Sequence, residues 1–154
     1  MARFRSEGTA PERELCRALI HVGASPRSGR HLPGRPDLII PGARAAVFVH
    51  GCFWHGCSDH YRRPRFNRKY WDAKLARNLA RDARAVEDLR STGWRVVVVW
   101  ECAVSRDAED AALRVLSAVR PRRGISEISL RGRGPGRRPG QLLLGEPRAR
   151  KRRT

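Results

Sequence analysis

The sequence predicts a single domain of the α/β class, with a central mixed sheet whose faces are covered by helices. The run WRVVVVWE at 94–101 is the continuous β-branched run of a strand that is buried on both faces. The runs DLIIP and RAAVFVHG flank Pro41 and Gly42, which predicts a hairpin of adjacent strands. Helical patterns alternate with these strands. At 154 residues the chain is long enough to bury a substantial core.

The first helix is predicted at 9–22, in the segment TAPERELCRALIHV. Thr9 is its candidate N-cap, and Glu12 completes a capping box of the T-x-x-E type. A loop rich in Gly, Ser, Pro and Arg then leads from 23 to 36 into the hairpin. The apolar stripe of this helix comprises Leu15, Leu19 and Val22.

Two further helices are predicted, one on each side of the long buried strand. The segment 71–93 has a strong helical pattern, with Gly93 as its stop signal. A shorter helix is expected at about 107–120. No internal repeat interrupts this order of helix, hairpin, helix, strand and helix.

The charge of the chain predicts a polyanionic partner. The 33 basic residues and 15 acidic residues give a formal net charge of +18. Residues 131–154 contribute +8 of this, so residues 1–130 keep +10. We expect a domain at 1–130, with its core at about 9–120, and a basic, disordered tail at 131–154. A body this basic favours nucleic acid as the partner over a merely solvated basic surface.

Composition also bears on location. No apolar run approaches the roughly 20 residues that a membrane span needs, and the N-terminus lacks the apolar stretch of a secretory signal. The four cysteines therefore indicate metal binding or reduced thiols rather than a disulfide framework. We expect a cytoplasmic protein without a membrane partner.

One acid stands where the helix at 71–93 should be apolar. On a helical period Asp82 falls in the middle of the apolar stripe, and Asn78 lies at its edge. An unpaired buried carboxylate costs several kcal/mol, so Asp82 needs a partner. A histidine is one candidate, and a structural bond to a backbone amide is the other. The predicted stripe comprises Leu75, Leu79, Val86 and Leu89.

Other polar residues suggest a cluster at an edge of the sheet. Glu12 shares the face of the first helix that carries its leucines, and Asp37 begins a strand. Each has an ordinary structural interpretation, as a capping-box glutamate or a turn aspartate. Together with His50 and His55 they suit phosphodiester hydrolysis. A carboxylate can hold a divalent cation there, and a histidine oriented by an acid can move a proton.

The cysteines predict a second metal site. Cys52, Cys57 and His60 have the spacing C-x4-C-x2-H, and Cys102 follows the long buried strand. Three thiolates and one imidazole make a closed tetrahedral site that favours structural zinc. The alternative is that these cysteines are small buried hydrophobes. His55 is a rival to His60 as the fourth ligand.

Two long stretches resemble the very short patch repair endonucleases. They are LPGRPDLIIPGARAAVFVHGCFWHGCSDHY and YWDAKLARNLARDARAVEDLRSTGWRVVVVWEC. The motifs PGRPD, HGCFWH, N-x3-RD and GWRVxxxWE carry the resemblance, which runs from about Thr9 to Cys102. It implies a restriction-endonuclease-like core. It also implies an enzyme that nicks one strand on the 5′ side of the thymine in a T·G mismatch arising from deaminated 5-methylcytosine.

The resemblance also implies roles for individual residues. Asp37 would bind a catalytic Mg²⁺ together with the backbone carbonyl of Val49, where many relatives have threonine. His55 would be the general acid and base, oriented by Asp82. His50 and Glu12 would hold water and phosphate at the edge of the metal. A structural zinc would be bound by Cys52, Cys57, His60 and Cys102.

The same resemblance places aromatic residues in the DNA. Phe53, Trp54 and Trp71 would enter the base stack beside the mismatch, and Asn78 is also expected to contact DNA. Without the resemblance, Phe53 and Trp54 would be interpreted as a local core over the zinc site. The implied partner is double-stranded DNA containing a mismatch, bound by a monomer that works with other repair-pathway proteins.

Two other functions remain open at this stage. One is a nuclease of the same fold that acts at another mismatch or at an intact DNA site. The other is a zinc-stabilised DNA-binding module without activity. Asp82 argues against the second, because a protein that only binds DNA has no use for an acid in an apolar stripe.

Overall fold

A computed structural model describes residues 8–120 and 127–130. The predicted alternation of helices and strands is confirmed. Its elements, in chain order, are α1 Ala10–His21, β1 Arg27–Ser28, β2 Leu38–Ile40, a 3-10 turn Pro41–Ala43, β3 Ala45–His50, α2 Cys52–His55, α3 Arg68–Ser91, β4 Arg95–Trp100, α4 Glu101–Arg106, α5 Ala108–Val119 and β5 Glu127–Leu130.

The strands form one mixed sheet in the order β1-β2-β3-β4-β5. The first three strands pair antiparallel, and β2 and β3 make the predicted hairpin. β4 then pairs parallel with β3 and with β5. A parallel pair needs a crossover connection, which the long helix α3 supplies between β3 and β4. The mixed α/β sheet is thus confirmed, while the restriction-endonuclease-like topology stays a prediction.

Helices cover both faces of the sheet, as the continuous apolar run of β4 predicts. Val97 and Val99 face one cluster, in which Leu15 and Leu19 of α1 pack with residues of α5. Val96 and Val98 face the other cluster, to which α3 contributes its apolar residues. Each face excludes water from alternate residues of the same strand. The α3 residues in this second cluster are Ala85, Val86 and Leu89.

The buried face of α3 differs from the predicted stripe. The helix begins at Arg68, three residues before the expected start. Leu79 is 47% exposed, so its place in the stripe was wrong. Asn78 and Asp82 are half-buried instead. The N-terminal half of α3 packs on the loop after β3, and there Asn78 and Asp82 make polar contacts with Trp54 and His55.

Four short helices and strands were not predicted: β1, α2, α4 and β5. A helix of four residues such as α2 has too few residues for a periodic pattern, and tertiary contacts hold it in place. The predicted basic tail at 131–154 lies outside the described residues. Within the described ranges, no helix combines the length and apolar character needed to cross a bilayer.

The PGRPD segment packs directly on α3. Gly34 has a positive φ of 74°, and an added Cβ would lie 2.4 Å from the Cβ of Ala85. Pro36, two residues later, is fully buried. This close approach fixes the segment that brings Asp37 to the beginning of β2.

We predict that Gly34→Ala destabilises the protein by about 3 kcal/mol, because the backbone is strained and the methyl group overlaps α3. Gly42→Ala is the matched control, since an added Cβ there meets nothing within 4 Å and its φ is not positive. Urea unfolding measures both. Equal stability of the two variants would show that the contact between Gly34 and α3 is not tight.

Candidate active site and metal centre

The site lies where β3 and β4 end side by side. Their parallel register pairs His50 with Trp100, so the loop after β3 begins beside Glu101. The carboxylate oxygen Oε1 of Glu101 accepts a hydrogen bond of 2.7 Å from the backbone N–H of Cys52. This bond satisfies an N–H of the first turn of α2 and fixes α2 against the end of β4.

The four predicted zinc ligands come together beside this contact. One ligand atom from each lies within 4.8 Å of those of the others. Cys52 and Cys57 are buried, and the ring of Trp100 packs with them. The four residues are Cys52, Cys57, His60 and Cys102.

This cluster can hold a metal such as zinc. The Sγ of Cys57 lies 3.7 Å from the Nδ1 of His60. A tetrahedron with zinc–sulfur bonds of 2.3 Å and zinc–nitrogen bonds of 2.0–2.1 Å has sulfur–nitrogen edges of about 3.6 Å. All four cysteines of the chain are free thiols. Free thiols can bind a metal, whereas a disulfide framework would have joined them in pairs. The donor set therefore fits zinc.

The thiols differ in acidity because of their surroundings. Burial raises the pKa of Cys52 and of Cys102 above the ordinary thiol value. Burial alone would also raise the pKa of Cys57, but hydrogen bonds from the His60 side chain and from the backbone lower it. Cys57 is thus the thiol most ready to bind a cation as thiolate.

His55 pairs with Asp82 rather than with the cysteines. Its Nδ1 lies 2.5 Å from the Oδ2 of Asp82, and both side chains are 17% exposed. Burial by itself would raise the pKa of Asp82, but the hydrogen bond with His55 and the nearby positive charges outweigh it, so the pKa is lowered. The histidine partner that the helical pattern of α3 suggested for Asp82 is present.

His50 stacks on His55. The ring centroids are 4.0 Å apart, and the planes differ by 11°. Burial, together with the proximity of His55, lowers the pKa of His50 to about 3. His50 is therefore neutral at physiological pH and can both donate and accept a hydrogen bond.

Two acids, Asp37 and Glu12, lie close to each other near the end of β3. Oδ2 of Asp37 accepts a hydrogen bond of 2.7 Å from the backbone N–H of Val49. Burial raises the pKa of Asp37 to about 6, and the negative charge of Glu12 adds to this shift. The Nη2 of Arg30 lies 3.0 Å from Oε2 of Glu12 and 3.7 Å from Oδ1 of Asp37.

Glu12 is the buried acid of α1, and its capping geometry differs from the predicted box. Its carboxylate accepts hydrogen bonds of 2.9 Å from the backbone N–H of Gly8 and from the hydroxyl of Thr9. The hydroxyl of Thr9 makes no capping bond to the helix backbone. Glu12 therefore holds the chain before α1 and faces Arg30 with the same carboxylate.

The predicted aromatic residues form a half-buried cluster beside α3. The ring centroid of Phe53 lies 5.0 Å from that of Trp54 and 5.3 Å from that of Trp71. The Nζ of Lys74 lies 5.0 Å from the Trp54 ring centroid. The side chain of Asn78 donates a hydrogen bond of 2.9 Å to the backbone carbonyl of Trp54 and so ties the loop to α3.

Sequence reasoning missed three residues of this region: Arg30, Lys74 and Glu101. Glu101 stands in the motif GWRVxxxWE, but the motif does not show that its carboxylate accepts a hydrogen bond from Cys52. Lys74 is one of several basic residues of α3, and the sequence gives no sign that its ammonium lies over the Trp54 ring. Arg30 lies in an Arg-rich loop, and no periodic pattern there distinguishes it from its neighbours.

The arrangement combines three chemical capacities. Carboxylates at the end of β3 suit a hard divalent cation. The His55–Asp82 pair suits proton transfer. The thiolate cluster suits a soft, closed metal site. A second group whose ligand atoms are close enough to hold a cation comprises His50, His55 and Asp82, and it shares no residue with the cysteine cluster.

Several known proteins are similar in sequence to this chain. A family model described as DNA mismatch endonuclease Vsr matches residues 1–61. The type II nicking enzyme V.NaeI of Lentzea aerocolonigenes is 40% identical over 122 residues, which cover 75% of this chain and 74% of that protein. The type II nicking enzyme V.XorIIP of Xanthomonas oryzae pv. oryzae is 44% identical over 108 residues, or 68% of this chain and 79% of that protein.

A third relative carries the family name itself. The DNA mismatch endonuclease Vsr of Escherichia coli is 37% identical over 106 residues, which cover 68% of each chain. The resemblance identified from the sequence motifs is confirmed. The chain belongs to the family of the DNA mismatch endonuclease Vsr.

Proposed function

We propose that this chain is a DNA mismatch endonuclease that nicks one strand on the 5′ side of the thymine in a T·G mismatch. Such mismatches arise when 5-methylcytosine deaminates, and the nick would begin very short patch repair. The observation that carries the proposal is the His55–Asp82 pair, stacked on His50 near the acids at the end of β3. Membership in the Vsr family supplies the substrate class.

Asp37 is the proposed ligand of a catalytic Mg²⁺. Its oxygens are hard donors at the end of β3, and Glu12 adds a second carboxylate beside it. The backbone N–H of Val49 points toward Asp37. In a strand the carbonyl of a residue lies on the same side as its N–H, so the Val49 carbonyl also faces this site. A bound Mg²⁺ supplies stabilisation of phosphate charge and a more acidic water.

His55 is the proposed general acid and base, which accepts and donates the protons of the reaction. Hydrolysis forms a bond from water to phosphorus and breaks a phosphorus–oxygen bond, so the attacking water loses a proton and the leaving oxygen gains one. Asp82 holds Nδ1 of His55, which fixes the ring and directs Nε2 as the proton-carrying atom. Neutral His50 would hold water and phosphate by hydrogen bonds, and the Glu12 carboxylate would accept a hydrogen bond from the water.

The zinc site supports the reaction without taking part in it. Cys52 and Cys57 flank the segment that carries His55, and Cys102 joins that segment to the end of β4. A closed four-ligand zinc would therefore fix the position of His55 relative to the sheet. Its task is structural.

The aromatic cluster is the proposed wedge for the DNA stack. Phe53, Trp54 and Trp71 remain half-exposed, while the aromatic residue that packs on the cysteines is Trp100. This arrangement favours a surface role over the alternative of a core for the zinc site. Insertion costs a few kcal/mol per unstacked step and is easiest at a mismatch. Asn78 supports the wedge through Trp54 and faces the same DNA.

A second specificity has support from the relatives. Two of them are named type II nicking enzymes. The chain could accordingly be a same-fold nuclease that acts at a different mismatch or in a different sequence context. The test below distinguishes these specificities.

We expect the purified chain, with Mg²⁺, to nick a T·G duplex on the thymine strand and to leave T·A and C·G duplexes intact. The readout is a denaturing gel of end-labelled duplexes with varied neighbours and all mismatches at one position.

Asp37→Asn should bind the T·G duplex yet nick it at least about 10³-fold more slowly, because the bound metal would no longer stabilise the negative charge that develops on the phosphate. Turnover of Asp37→Asn in Mg²⁺ would remove Asp37 from catalysis, and equal nicking of T·A would exclude mismatch specificity.

His55 and Asp82 should act as one unit. We expect His55→Ala and Asp82→Asn each to lower the single-turnover nicking rate by about 10²–10⁴-fold. The double variant should be no slower than the slower single variant. Asp88→Asn removes an exposed carboxylate from the same helix and should leave the rate unchanged. Multiplicative losses in the double variant would mean that the two residues serve separate steps.

Trp54→Ala should lower the preference for T·G over T·A more than it lowers the melting temperature. A fluorescent base analogue beside the mismatch should report unstacking with the wild type and much less with this variant. Trp94→Ala is the control, because Trp94 packs on the core at the other end of β4 and should affect stability without affecting preference. Loss of zinc or folding in Trp54→Ala, with unchanged preference in the folded fraction, would make Trp54 a core residue.

A further inference from the structure

We propose that Arg30 is an internal cation of the active site, which competes with the divalent metal for Glu12 and Asp37. The inference rests on the proposed function, since it assumes that these carboxylates face the catalytic metal. One nitrogen, Nη2, lies 3.0 Å from Oε2 of Glu12 and 3.7 Å from Oδ1 of Asp37. The guanidinium thus bridges the two acids.

The backbone around Arg30 is fixed to the strand that follows Asp37. Ser28 pairs with Leu38 in the sheet. At Gly29 an added Cβ would lie only 2.8 Å from the side chain of Ile39 and from the carbonyl of Pro36. The Arg30 side chain is only 24% exposed. The fold therefore holds this arginine beside the acids, unlike the surface arginines of α3.

The two acids need a positive charge when no metal is bound. Their side chains are 11% exposed for Glu12 and 16% for Asp37, so water solvates them poorly. Buried carboxylates of like charge repel, and an arginine between them offsets that cost. A guanidinium and a divalent cation at the same two carboxylates repel each other, because like charges a few Å apart interact unfavourably. Metal binding is therefore stronger when Arg30 moves away from the acids.

This competition has a measurable size. The apparent dissociation constant of a metal equals its intrinsic value divided by the fraction of molecules in which the site is open. If Arg30 bridges the acids in about nine of ten molecules, its removal tightens metal binding about tenfold.

The probe is Mn²⁺, followed by the electron paramagnetic resonance of the free ion during titration of the full chain without DNA. Arg30→Gln should bind Mn²⁺ about tenfold more tightly than the wild type. Arg27→Gln removes an equal charge from an exposed position on β1 and should change the affinity far less. Arg30→Lys, which retains the charge, should stay close to the wild type. Asp37→Asn removes a proposed metal ligand, so any Mn²⁺ that this variant still binds is bound elsewhere on the protein.

The outcomes separate this inference from the proposed function. If Asp37→Asn abolishes the Mn²⁺ site while Arg30→Gln leaves the affinity unchanged or weaker, the competition is refuted and the metal site stands. If Asp37→Asn leaves Mn²⁺ binding intact, the metal site of the proposed function fails, and the inference with it.

Thermal unfolding gives a second measurement. The rise in melting temperature on adding Mn²⁺ should be larger in Arg30→Gln than in the wild type. Arg30→Met is a second neutral variant should Arg30→Gln not fold.

Discussion

The parallel register of β3 and β4 sets His50 opposite Trp100, and the loop that carries His55 and the cysteine cluster is placed by that pairing. It ends the two strands at the same edge, so the loop after β3 and the first turn of α4 become neighbours. Glu101 can then accept the hydrogen bond from Cys52, and Cys102 can approach cysteines about 50 positions earlier in the chain. Six consecutive residue pairs, from Ala45 with Arg95 to His50 with Trp100, keep this register along the whole length of both strands.

The segment 51–60 carries side chains that lie in different environments. Its cysteines and His60 gather around a site suited to zinc, while His55 turns to Asp82 on α3. Asn78 ties the carbonyl of Trp54 to the same helix, so the aromatic cluster is carried on a fixed backbone. Small displacements matter in such sites, because proton transfer needs heavy atoms within hydrogen-bond reach. A zinc ion bound by this segment would fix the backbone that carries both His55 and the aromatic residues Phe53 and Trp54.

The sequence predicted the hairpin, the long helix and the buried strand from periodicity, because each contains enough residues for a repeating pattern. Asp82 could be singled out because a carboxylate in an apolar stripe requires a partner. Cys102 lies near the other two cysteines of the cluster because β3 and β4 are neighbours in the sheet. The spacing of cysteines along the sequence does not show which strands are neighbours. Leu79 was misplaced because Asn78 and Asp82, rather than Leu79, face the loop after β3. Arg30 and Glu101 were missed because their contacts join distant segments and leave no local pattern.

The central claim is that the histidines of the loop are divided, with His60 on the metal and His55 on Asp82. Zinc X-ray absorption of the wild type, His55→Ala and His60→Ala tests it most directly. Our account predicts three sulfur neighbours at about 2.3 Å and one nitrogen at about 2.0 Å in the wild type. The same set should persist in His55→Ala, whereas His60→Ala should lose the nitrogen neighbour. Loss of that neighbour in His55→Ala, with an unchanged spectrum in His60→Ala, would contradict the account.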